Sequence, residues 1–182
     1  DIKIIVVILD GIILDTRTTV KQFIRENVNP NYELPNEIFN IYDIANKLED
    51  PLSFIEKFNL AHKWLDVSIL PGAKEGLLNL KEQGYKIILL SKMEKHLQNH
   101  LEEHLKNNGL EFDALISTGI TQLNHKPFVN YFDILQPKMW IYPELTSMKD
   151  IPAKATKMIY ISHLTQDENN NANVAKDKNI KD

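Results

Sequence analysis

The chain alternates between short, almost purely apolar runs and longer stretches in which apolar residues recur every three or four positions. Ile4-Ile5-Val6-Val7-Ile8-Leu9 is unbroken hydrocarbon, mostly β-branched, and stops at Asp10-Gly11. A run that is apolar on both of its alternating faces predicts a central strand covered from both sides. Lys86-Ile87-Ile88-Leu89-Leu90, ending at Ser91, repeats the pattern. Two weaker runs follow, Phe112 to Ile116 ending at Ser117 and Lys157 to Ile161 ending at Ser162. Between them, Lys74 to Glu82 carries Leu77, Leu78 and Leu80 at helical spacing, and Lys92 to Lys106 carries Leu97, Leu101 and Leu105. Gly84 and Gly109 follow these stretches at C-cap positions. Strands and helices in alternation with short connections predict right-handed crossovers and a mostly parallel, doubly wound α/β sheet. Ligands of such sheets sit beyond the carboxyl ends of the strands, so Asp10, Ser91, Ser117 and Ser162 are expected to gather along one edge.

The stretch from 17 to 69 has a different texture. Thr18 to Asn27 reads as a helix, Pro30 and Pro35 punctuate a loop, and Glu37 to Leu48 and Leu52 to Asp66 read as further amphipathic helices. With no strand pattern in it, this segment is expected to form a helical cap inserted after the first strand. Residues 1–16 and 70–182 are then the α/β core. Within the cap, Phe54, Phe58, Trp64 and Leu65 are spaced for packing. The last stretch, Asp167 to Asp182, is rich in Asn and Lys and reads as a polar helix or a frayed tail.

Charge and composition narrow the chemistry. In 182 residues, 21 basic against 25 acidic side chains give a net charge of −4, with both signs dispersed. No broad electropositive face for nucleic acid or an anionic membrane is expected from that balance. The absence of cysteine excludes disulfides, thiolate metal sites and thiol nucleophiles. Ile4 to Leu9 falls far short of the ~20 apolar residues that a membrane-spanning helix needs, and it lacks the basic start and cleavage site of a secretion signal. A cytoplasmic location is the expectation.

Val7-Ile8-Leu9-Asp10-Gly11-Ile12-Ile13-Leu14-Asp15-Thr16 resembles the first motif of the haloacid dehalogenase superfamily, an apolar strand followed by Asp-x-Asp-Gly-Thr-Leu-x-Asp-Ser/Thr. Leu70-Pro71-Gly72-Ala73 with the strand ending at Ser91 resembles the second block, and His125-Lys126-Pro127 the third. Ile159-Tyr160-Ile161-Ser162-His163-Leu164-Thr165-Gln166-Asp167 resembles the fourth, usually Gly-Asp-Ser-x-x-Asp. The resemblance implies a three-layer Rossmann-like core with a small helical cap. It also implies phosphoryl transfer: a leading Asp as nucleophile, a second Asp as acid/base, a Ser/Thr and a Lys holding phosphate, and carboxylates binding Mg²⁺. Anionic attack needs cations to offset charge on the phosphoryl oxygens. By position, Asp10 is the acid/base, Ser91 and Lys126 the phosphate holders, and Asp167 the last carboxylate.

This chain departs from that pattern at decisive places. Ile8 stands where the nucleophile belongs, Ile12 where the motif has Thr, and Ser162-His163 where it has Gly-Asp. A hydrocarbon offers no lone pair, and Mg²⁺ takes oxygen rather than imidazole nitrogen. Mg²⁺ is expected for the family, yet its ligands are largely missing, so no cofactor is expected. His163 and Asp167, with Asp10 and His125, are the candidates for a nitrogen/oxygen metal site. Asp10 reads otherwise as a strand-closing turn residue, Ser91 as a strand-end cap and Lys126 as a loop lysine.

Further along, His96, His100 and His104 recur every four residues. They read as a solvated face opposite the leucines, or as a metal stripe. Trp140, Tyr142 and Pro143 lie in a stretch longer than the family usually has, read as an apolar insertion that either packs or receives a partner. The chain ends where the family usually adds a fifth strand. The reading that results is a degenerate, phosphatase-like protein acting by binding a protein or an anionic small molecule. An active phosphohydrolase using Asp10 and a non-standard metal, and a structural domain with a sealed cleft, are the alternatives.

Overall fold

The computed structural model describes residues 2–35, 41–119, 134–142 and 158–160. In chain order these form β1 (Lys3–Ile8), α1 (Thr16–Asn27), α2 (Ile41–Ala45), α3 (Pro51–Leu60), α4 (Ala73–Glu82), β2 (Tyr85–Ser91), α5 (Gln98–Asn107), β3 (Ala114–Ser117), β4 (Met139–Tyr142) and β5 (Met158–Tyr160). The strands make one five-stranded sheet in the order β3-β2-β1-β4-β5. Every pair is parallel.

β1 is the centre, paired with β2 from Lys3↔Tyr85 to Ile8↔Leu90 and with β4 from Ile5↔Met139 to Val7↔Ile141. Its unbroken apolar run is thereby explained, since Ile5 and Val6 are both fully buried. Gly84 (φ 84°) and Gly109 (φ 78°) end α4 and α5 in the left-handed region that costs an L side chain strain. The helix read over Lys92 to Lys106 divides: a 3₁₀ turn at Lys95–Leu97 precedes α5, and Lys92 to Glu94 leave the strand as a loop.

Of the two readings of the Trp140 stretch, β4 takes the packing one: it is an internal strand against β1. Between Pro137 and Pro143 the run is only four residues long, too short for periodicity to separate it from a loop. The sheet thus has five strands, and the run expected as the fourth is the edge strand β5. The chain builds β2 and β3 on one side of β1, then β4 and β5 on the other. The crevice where the direction reverses lies between the carboxyl ends of β1 and β4, the usual ligand position of an open α/β sheet.

Between β1 and α4 the described chain is helical apart from its connections. Asp15 caps α1, accepting from Thr18 N (3.4 Å) and Thr18 Oγ1 (2.7 Å). Asp50 caps α3 through Ser53 N (3.1 Å), with Pro51 in the first turn, where its missing N–H costs nothing. Phe23 of α1 meets the edges of Phe54 and Phe58 of α3, with ring centres 5.7 and 5.3 Å apart. Leu65, expected in this packing, is exposed instead.

Trp64, in a 3₁₀ turn at Lys63–Asp66, is buried and lies 6.5 Å from the rings of both His100 and His104 on α5. Two of the three evenly spaced histidines therefore flank the indole rather than forming a purely solvated face. Where the helical segment leaves and rejoins the sheet, its two strands of chain are tied together. Asp15 N donates to Ser68 O and Leu70 N to Ile13 O, each at 2.8 Å.

Candidate active site

The buried polar and charged side chains among the described residues are Asp10, Thr16, Ser91, Lys92, Ser117 and Thr118. All belong to one place. Ser91 and Ser117 are the last residues of β2 and β3, Lys92 and Thr118 the next ones, and Asp10 lies two past the end of β1. Thr16, at the start of α1, joins them by donating its Oγ1–H to Asp10 Oδ1 at 2.7 Å. Burying a polar group costs free energy unless it is hydrogen-bonded, so this concentration marks a constructed edge rather than an accident of packing.

The turn after β1 is compact. Ile13 N and Leu14 N both donate to Leu9 O at 3.0 Å, and Gly11 N donates to Leu14 O at 2.9 Å. Gly11 has φ 82°, a conformation in which a Cβ is strained, and this accounts for Asp-Gly at the end of the strand. The turn folds Asp10 back to meet Thr16 and keeps its carboxylate buried at 6% exposure.

Ser91 is fully buried; its Oγ accepts from Met93 N at 3.1 Å. Its carbonyl accepts from Thr118 N (2.8 Å) and Thr118 Oγ1 (3.2 Å), and Gly119 N donates to Met93 O at 3.0 Å. The loops after β2 and β3 are thus zipped together, with Ser91 at the junction. Ser117 N donates to Gln98 Oε1 at 2.9 Å, while Ser117 Oγ is buried and has no hydrogen-bond partner among the described residues.

The structure brings Asp10, Ser91 and Ser117 to one edge, as the strand pattern implies. Lys126, His163 and Asp167 lie outside the described residues, as do His125 and Ser162. Ile8 and Ile12, the two hydrocarbons in the first motif, are buried at 4% and 9% exposure. Among the described residues the donor set of this edge does not fit Mg²⁺, because Ile8 and Ile12 carry no side-chain donor atom. No group of three or more His, Asp or Glu side chains converges on a metal-sized position among the described residues.

The sequence reading passed over Lys92, which sits directly after Ser91 and is 8% exposed. Its signal was its place: a lysine immediately beyond an apolar strand run reads as an ordinary loop residue unless the neighbouring loop covers it.

No protein-family model matches the chain, and no curated protein matches it in sequence. Solved structures do match the fold. A haloacid dehalogenase-like family hydrolase of Streptococcus pneumoniae is 13% identical, with a TM-score of 0.60, over 94% of this chain and 98% of its own. A haloacid dehalogenase-like hydrolase of Bacteroides fragilis is 14% identical with a TM-score of 0.63, each chain covered to 92%. A phosphoserine phosphatase is 17% identical with a TM-score of 0.54, over 88% of this chain and 86% of that one. The chain has the haloacid dehalogenase-like fold, a Rossmann-like parallel α/β sheet that its structural neighbours use for hydrolase and phosphatase chemistry.

Proposed function

We propose that this protein is a catalytically silent member of the haloacid dehalogenase-like group that acts by binding. One observation carries the reading. Ile8, the last residue of β1 and the place of the phosphoryl-accepting carboxylate, is a buried hydrocarbon, while the nearby Asp10 is held inward by Thr16. In-line attack needs an exposed anionic oxygen and cations around the phosphoryl group. A buried isoleucine provides neither.

The helical segment 17–69 is a cap on this reading, stapled to the core at Ser68 and Leu70. The ligand is a protein partner or an anionic small molecule, met with cytoplasmic chemistry. Among the described residues, no helix is long and apolar enough to cross a membrane. A second reading, a domain whose cleft is sealed and whose role is interaction alone, draws support from the burial of Ile8, Ile12 and Ser91 together.

The test is hydrolysis of a generic aryl phosphate and a panel of phosphorylated metabolites with Mg²⁺, Mn²⁺ or Zn²⁺. No turnover is expected. Turnover that disappears in Asp10→Asn overturns the silent reading. Inorganic phosphate that raises the melting temperature, less so in Ser91→Ala or Lys126→Ala, favours anion binding over the sealed cleft.

A further inference from the structure

We propose that the helical segment holds a second site, a hollow that binds a small organic cation with an apolar body. The hollow lies between the end of α1 and the start of α3 and measures about 370 Å³, within the ~300–1,000 Å³ of small-ligand pockets. The buried polar residues of the carboxyl edge take no part in its lining. It therefore stands or falls apart from the silent reading of that edge.

The apolar side of the hollow follows from the aromatic cluster. Phe23 and Phe54 pack with their ring centres 5.7 Å apart, and both also line the hollow. Leu48, half-buried, adds hydrocarbon, and Val28, just past α1, lines it as well and is 55% exposed. A valine more than half in water beside two rings leaves apolar surface for a ligand body to cover. Asn27 braces this wall by donating from its side chain to Phe23 O at 2.9 Å.

The polar side is set by the turn into α3. Glu49 and Asp50, adjacent in the chain and both exposed, put two carboxylates on the lining. Asp50 spends one oxygen on capping α3, accepting from Ser53 N at 3.1 Å. Glu49 forms no ion pair or hydrogen bond among the described residues, and Lys57, the one ammonium on the lining, pairs with neither carboxylate. Two carboxylates against one ammonium leave the lining at a net charge of −1, which favours a cation and repels an anion. A ligand seated there touches α1, the connection after α2 and α3 together, so occupancy stabilises the helical segment as a unit.

Three probes of similar shape test the site on the full chain: 2-phenylethylammonium, neutral 2-phenylethanol and anionic phenylacetate. In ¹H–¹⁵N correlation spectra the ammonium probe is expected to shift the Val28, Glu49 and Ser53 amides saturably. It is expected to bind at least about threefold tighter than the alcohol, the scale of exposed charge pairs, with phenylacetate weakest. Glu49→Gln combined with Asp50→Asn removes both charges while Asn still caps α3, and should bring the ammonium probe down to the alcohol's affinity.

Equal affinity for the ammonium and the alcohol overturns the proposal, as does unchanged binding in the double variant. Shifts centred outside the hollow, or no saturation by ~20 mM, overturn it too. Should the double variant fail to fold, ~0.5 M NaCl replaces it: the threefold preference is expected to fall away through screening, and a preference that survives overturns the proposal. The two readings fail separately: turnover of an aryl phosphate defeats the silent reading and leaves this site standing, and an empty hollow leaves that reading untouched.

Discussion

The helical segment and the carboxyl edge of the sheet are both buried, but they are filled with opposite material. In the first, Phe23, Phe54 and Phe58 meet through their rings and Trp64 lies beside His100 and His104, while the described polar side chains cap helix ends or pair near the surface. In the second, Asp10, Thr16, Ser91, Lys92, Ser117 and Thr118 are buried around the carboxyl ends of β1, β2 and β3, with Thr16 bonded to Asp10 and Thr118 to Ser91. Packing accounts for the aromatic cluster of the first region without reference to any ligand. The second bears a cost that hydrophobic packing alone does not require, and its interlocking hydrogen bonds offset that cost.

Three substitutions probe this contrast. The largest effect is expected in the aromatic cluster, where Phe58→Ala removes a ring in contact with Phe23 and Phe54. A loss of about 3–5 kcal/mol is expected by urea denaturation, from lost transfer free energy plus the cavity left behind. A loss under about 1 kcal/mol would mean that the segment collapses easily around the gap and is not a packed unit.

An intermediate effect is expected at the edge. Ser91→Ala leaves the Met93 N–H without its 3.1 Å acceptor, at a residue with no solvent access. The expected destabilisation is about 1–3 kcal/mol. Hydrogen exchange adds a sharper readout, because the Met93 and Gly119 amides of the zipped loops should lose protection before those of β1. Uniform loss across the sheet would argue that the edge is not a separate polar unit.

The smallest effect is expected at the amino end of the same sheet, where polar groups remain near water. Burial pushes Asp113 up. Even so, the Ile87 N–H at 2.8 Å, the Lys86 ammonium at 3.3 Å and the more distant Lys81 outweigh that, and hold it below the usual carboxylate range. A lowered folded pKa stabilises the protein above the unfolded value and is lost as pH falls through the folded value. Asp113→Asn should therefore cost about 1 kcal/mol at neutral pH, with the difference from wild type shrinking as pH drops below ~4. A difference that stays constant from neutral to acid pH would assign the effect to shape rather than charge.

Much of the core was legible from residue pattern. β1, β2, β3 and β5 follow apolar runs bounded by Ser, Asp or Gly, and α4 and α5 follow leucine spacing closed by Gly84 and Gly109. The gathering of Asp10, Ser91 and Ser117 was legible too, because parallel strands place their carboxyl ends together. β4 was not, since Met139–Tyr142 is short and its strand character comes from pairing with β1, a partner far away in sequence. Lys92 and the Trp64 contact with His100 and His104 were hidden for the same reason.

By itself the sequence determined what chemistry is possible here. Ile8 and Ile12 cannot attack or coordinate wherever the chain puts them, and a cysteine-free chain has no thiol. Those are properties of atoms and need no fold. Only the tertiary structure decided which strands are neighbours, and hence which groups share the buried edge. Register across β1, β2 and β3 is set by long-range pairing and packing, and it is that register which sets Ile8 beside Leu90 and Ser91 beside Ser117.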